Sequence, residues 1–143
     1  MLRLAIFFPL VTVALFVGAL PSLGSGTSNV VLTAKLTGKY LHTATVGSGT
    51  ARVTLKDGRV CWRFAWKGIG KLAESGIHKA PPPPAGRRKR SILPFKAVTT
   101  RSGCVAGNAA TIEDVAANPG AYYVDIHTTE YPKGAIGGRL RRI

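Results

Sequence analysis

Two histidines, one aspartate and two cysteines have the types and spacing to do chemistry in this sequence. His78 and His127 each follow or sit in a β-like run, and Asp125 precedes His127 by two residues. On a strand, Asp125 and His127 therefore share a face, together with Tyr123. Imidazole and carboxylate suit zinc or copper, so His78, Asp125 and His127 are the candidate metal ligands. They make three ligands, not a four-ligand set, and a hydrogen-bonded structural role for the histidines competes with the metal. His42 lies alone in a loop and adds nothing to either reading. The chain has only three His and six Asp+Glu in all. There is no G-x-S-x-G, H-E-x-x-H or phosphate-binding glycine loop, so no catalytic residue is assigned. The expectation is a protein that is not an enzyme and that needs no cofactor.

The cysteines are read through the first segment. Residues 1–26 have the form of a secretory signal: Arg3, then an apolar stretch over 4–17, then small residues through Gly26. Cleavage near 19–26 fits, and the competing reading is an uncleaved anchor, through which alone the chain would attach to a membrane. Either way residues 27–143 lie outside the cytoplasm, as one secreted or extracytoplasmic domain. In an oxidising compartment Cys61 and Cys104 pair by default, and their isolation from any C-x-x-C spacing argues against zinc or redox roles. Cys61 shares its strand parity with Arg63, not Trp62, so the disulfide should clip the outer face or a covering loop.

Charge supplies a third kind of chemistry. Lys and Arg number 20 against 6 Asp and Glu, a formal +14 over 143 residues. Four of these cations, Arg87, Arg88, Lys89 and Arg90, follow the Pro81–Pro84 run in a loop over residues 80–91. They are the anion-binding candidates, with Arg139, Arg141 and Arg142 at the C-terminus as further cations. No aromatic residue interleaves the cluster, so specific nucleic-acid recognition is not expected. The partner is an unidentified extracytoplasmic protein or an anionic surface polymer, and the bland reading of the loop is a solvated connection between strands.

The elements that must position these residues are strands. Val30–Leu36 and Ala51–Leu55 alternate apolar and polar residues, Asp57-Gly58 marks a tight hairpin, and Val60, Trp62, Phe64 and Trp66 form the apolar face of the returning strand. Leu72–His78 and Ile92–Val98 are weaker strand candidates, Ala121–Thr128 is a stronger one, and Ala135–Leu140 returns as a last strand weakened by Gly137-Gly138. One short helix is expected near 111–118, opened by Thr111 with acids in its first turn and stopped at Asn118-Pro119-Gly120. An apolar fraction of 45% excludes a wholly disordered chain, and two cysteines exclude a cysteine-rich mini-domain. Strands at this spacing predict an all-β sandwich or barrel.

Tyr122-Tyr123-Val124-Asp125-Ile126-His127-Thr128, then Pro132-Lys133-Gly134 and Ile136-Gly137-Gly138-Arg139-Leu140, resembles the closing motif of CHRD (chordin-type) domains, roughly Y-V-N-V-H-T, P-x-G and I-R-G-Q-L. Gly103-Cys104-Val105 is similar to the second cysteine segment of bacterial members, and Ser75-Gly76-Ile77-His78-Lys79 falls where many members carry H-I-H. Gly76 stands in place of the first of those histidines, and Asp125 in place of the usual Asn. The resemblance implies an immunoglobulin-like Greek-key sandwich and a secreted binding or structural module. The alternatives are a copper- or zinc-binding sandwich using His78 and His127, and an electrostatic binder of anionic surfaces through Arg87–Arg90.

Overall fold

Nine strands and one α-helix form, in a computed structural model that describes residues 29–84, 87, 90–95 and 100–143. The signal-segment reading, Arg88 and Lys89, and the 96–98 part of the expected Ile92–Val98 strand lie outside the described residues. In chain order the strands are β1 Val30–Thr37, β2 Ser48–Lys56, β3 Arg59–Lys67, β4 Leu72–Lys79, β5 Leu93–Phe95 and β6 Ser102–Ala106. The helix α1 Ala109–Ala117 follows, then β7 Tyr122–Thr128, β8 Ile136–Arg139 and β9 Arg141–Arg142.

Alternation determines which side of β1, β2 and β3 is buried. Leu32, Ala34 and Leu36 on β1, Ala51, Val53 and Leu55 on β2, and Val60, Trp62 and Phe64 on β3 all face the core. Such a fully buried aliphatic or aromatic side chain contributes about 1.5–3 kcal/mol relative to an exposed one. The β2–β3 hairpin closes through Asp57 and Gly58, with φ of 47° and 70°, the left-handed pair that a two-residue turn demands. Trp62 is core, stacked on Phe95 with ring centroids 4.8 Å apart. Trp66 is only half-buried, and its ring lies under the Arg101 guanidinium at 4.0 Å.

The strands join antiparallel in the order β5-β4-β7-β8-β1-β2-β3-β6, with β9 added against β1. Phe95 on β5 packs against Trp62 and Phe64 on β3, so the two ends of the sheet meet over one core and the sheet nearly closes into a barrel-like shape. Cys61 and Cys104 face each other across the β3–β6 ladder and form a disulfide on the outer side, where parity put Cys61.

One local expectation is corrected. The helix starts earlier than Thr111: Asn108 is the N-cap, its side-chain oxygen accepting the Thr111 N–H at 3.0 Å, so the acids at 113 and 114 fall in mid-helix. The strand β6 lacks bulky apolar alternation and is formed by its pairing with β3.

Candidate functional site

β7 is buried along its whole length because β4 and β8 flank it and both its faces are covered. Val124 and Ile126 point into the core, which leaves Tyr123, Asp125 and His127 on the opposite face. The β4–β7 register sets Gly76 opposite Asp125 and His78 opposite Tyr123. His78 thus lies diagonal to Asp125, within side-chain reach across the ladder. Its Nε2 approaches Asp125 Oδ1 at 2.9 Å, and His127 Nε2 approaches Asp125 Oδ2 at 3.1 Å. His78, Asp125 and His127 each offer a ligand atom within 4.8 Å of the others, and all three residues are buried. His42, by contrast, is exposed after the short turn at Lys39–Leu41.

Proton placement follows from the partners. His127 Nδ1 lies 3.0 Å from the Pro132 carbonyl, which can only accept, so Nδ1 carries the proton. Its Nε2 stands against the Asp125 carboxylate at 3.1 Å, and His78 Nδ1 is buried without a partner. Burial pushes Asp125 upward, but hydrogen bonds from His127 and His78 outweigh it and hold the carboxyl below its ordinary range. Burial pulls His127 down, and the hydrogen bond and charge of Asp125 with the Pro132 carbonyl overcome it, leaving the imidazole raised. Tyr123, stacked on His78 at 5.0 Å, is pushed up by burial and then by the Asp125 charge.

A roof covers this face. Leu41 and Thr43 come from the loop after β1, Pro82 and Pro83 from the proline run, and Lys133 from the β7–β8 turn. Together with Tyr123, Asp125 and His127 they enclose a space of about 20 Å³, room for one ion or water. The described part of the proline segment is therefore not a free solvated loop; Pro82 and Pro83 are half-buried over the site. Arg87 and Arg90 are both exposed, and Arg87 reaches the rim of the same space. The C-terminal cations separate: Arg142 donates to the Ala116 carbonyl at the end of α1, and Arg141 lies along β1.

A zinc or copper ion sets definite separations between its ligand atoms. Ligand atoms bound at about 2.1 Å to one ion stand roughly 3.0–3.4 Å apart at octahedral or tetrahedral angles. Both carboxylate contacts, at 2.9 and 3.1 Å, are close to that range, and a separation of 4.8 Å must close by roughly 1.4–1.8 Å. The His127 Nδ1–H bond to a backbone carbonyl is the outer contact that leaves Nε2 free as a ligand.

The family model for the CHRD domain matches residues 32–140. The chain belongs to the CHRD domain family. No curated protein and no solved structure matches it. The match runs from β1 to the residue after β8, so this CHRD domain includes the β4–β7 site and the disulfide. At Gly76, where a first histidine of H-I-H would stand, a Cβ would collide with Ser91 Oγ and come within 2.9 Å of Ser91 Cβ. Ser91 occupies that space in this CHRD domain, with its Oγ 3.3 Å from His78 Nε2. Sequence reasoning passed over Ser91 because only the β4–β5 pairing brings it beside His78. Among the described residues, no helix is long and apolar enough to cross a membrane.

Proposed function

We propose that this CHRD domain is an exported binding module without catalytic activity, and that it holds one zinc or copper(II) ion with His78, Asp125 and His127. The observation that carries this reading is the buried Asp125 carboxylate between the His78 and His127 imidazoles, with His78 Nδ1 left unpartnered and an ion-sized space against Asp125 and His127. A purely structural cluster is expected to satisfy both nitrogens of a buried imidazole, because an unmet buried polar group costs about 1–3 kcal/mol. Three protein ligands leave one position open, and Arg87 and Lys133 at the rim favour an anion there. Export is supported by the disulfide between β3 and β6, at home in an oxidising compartment. The non-consecutive neighbours β4–β7 and β8–β1 support the Greek-key, immunoglobulin-like form of the curled sheet.

Calorimetric titration of chelator-treated protein with zinc and copper(II) tests the metal. One equivalent of either ion is expected to bind and, at a hundredfold excess over Kd, to stabilise the fold by about 2.7 kcal/mol. Asp125→Asn and His127→Ala should each weaken binding at least tenfold. Absence of stoichiometric binding by the folded wild-type protein rejects the metal, and turnover of a hydrolase or oxidase substrate by the loaded protein rejects the non-catalytic reading.

A further inference from the structure

The outer surface of the sheet half made by β9, β1, β2, β3 and β6 carries a charge arrangement that the β4–β7 site does not use. These five strands contain no Asp or Glu. Their outward positions include Lys35, Arg52, Arg63, Lys67 and Arg141, all exposed. The register assembles them: Arg141 pairs with Thr33, Thr33 with Arg52, and Arg52 with Arg63 directly across the ladder. Like charges opposite one another on antiparallel strands are destabilising, with Cβ atoms about 5 Å apart. No acid relieves them on these strands. The nearest in sequence is Asp57 in the β2–β3 turn, which contacts Lys56. A row of arginines held together against their own repulsion is matched by a ligand that supplies the missing negative charge.

The shape of the face narrows the ligand. A groove of about 570 Å³ runs between β1, β2 and β3, lined by Lys35, Ser48, Thr50, Trp66, Lys67 and Arg141. A second, of about 530 Å³, is lined by Arg52, Thr54, Arg63 and the disulfide. Cations thus stand among the hydroxyl side chains of Ser48, Thr50 and Thr54 on this face. The exposed large apolar residues among those described are Val46, Ile92 and Ile143, none of them on these five strands, so the face offers no side chain to insert into a lipid surface. The Trp66 ring lies under Arg101, which leaves no open aromatic platform for stacking bases.

We propose that this face binds a linear acidic polysaccharide, with Arg52, Arg63 and Arg141 on its carboxylates and Ser48, Thr50 and Thr54 on its hydroxyls. Arginine pairs with carboxylates through two parallel N–H···O bonds, and the Arg141–Arg52–Arg63 row offers such a partner to successive sugar acids lying across the strands. The interaction is polyelectrolytic and weakens with salt. It is independent of the metal and does not involve the 80–91 loop.

Binding of the purified protein to polygalacturonate, measured across a salt series, decides it. The wild type is expected to bind polygalacturonate more tightly than phosphatidylserine vesicles or single-stranded DNA at equal charge concentration. Arg52→Ser with Arg63→Ser should lose at least tenfold in affinity near 50 mM salt and flatten the log–log salt slope by about one to two. Lys39→Ser with Lys71→Ser removes the same charge elsewhere and should stay within threefold of wild type. The proposal is overturned if the arginine variant binds like wild type, if the lysine control loses as much, if the wild type ignores polygalacturonate, or if it prefers vesicles or DNA. Should the arginine variant fail to fold, Lys35→Ser with Lys67→Ser applies the same criteria to the adjoining groove.

Discussion

Tyr122 and Asp114 show how far a single side-chain pair reaches. The Tyr122 hydroxyl donates to the Asp114 carboxylate on α1, and Asn118 donates to the same carboxyl at 2.9 Å. The Tyr122 hydrogen bond, then that of Asn118, lowers Asp114 from its ordinary 3.8, while Asp114 and burial raise Tyr122 from 10.0 to about 12. A raised tyrosine contributes stability that is complete below pH 10 and is lost as pH climbs towards 12. A lowered carboxyl contributes stability that is present above 3.8 and is lost on acidification. Tyr122→Phe is therefore expected to flatten the fall in unfolding free energy between pH 10 and 12, measured by denaturant titration at several pH values. An unchanged slope would show that this hydroxyl does not couple folding to alkali. Of the candidate site, the residue types were legible: His78, Asp125 and His127 are visible as ligands. Their meeting was not, because a diagonal contact depends on the β4–β7 register, and no local pattern specifies which strands pair.

At the scale of elements, alternation was a good guide wherever one strand face is apolar and the other polar. β1, β2 and β3 follow it, and the Asp57-Gly58 turn joins two of them as its backbone requirements dictate. β7 departs in kind: both faces are buried, so Tyr123, Asp125 and His127 occupy what alternation alone would leave to solvent. β6 was not legible because Ser102–Ala106 is small and only partly apolar; its place comes from the ladder with β3 and the Cys61–Cys104 bond. That bond joins residues 43 apart and ties an edge strand to the hairpin. Cys61→Ser with Cys104→Ser is expected to cost about 2–4 kcal/mol and to lower the midpoint of thermal unfolding by about 10 °C. A midpoint within 2 °C of wild type would mean that β3–β6 pairing holds the edge by itself.

For the molecule as a whole, closure of the sheet decides both the core and the surface. Phe95 sits between Trp62 and Phe64 where the β5 end meets β3, so it links the two ends of the sheet. Phe95→Ala is expected to destabilise the fold by about 3–5 kcal/mol, read as a lower denaturant midpoint. A loss below about 1 kcal/mol would show that the sheet is held without this contact. Closure also sorts the positive charge. In the sequence the surplus is concentrated at Arg87–Arg90 and the C-terminus, but register gathers Arg52, Arg63 and Arg141 into one row that no linear window reveals. The strand-rich class, the family motif in β7 and β8, the cysteine pair and the basic balance are legible in the chain alone, since each resides in composition or in contacts a few residues apart. Folding adds that two histidines share one carboxylate, that prolines roof them, and that arginines from three strands align in one row. Those facts depend on pairings between segments tens of residues apart, which are chosen by burial of a common core.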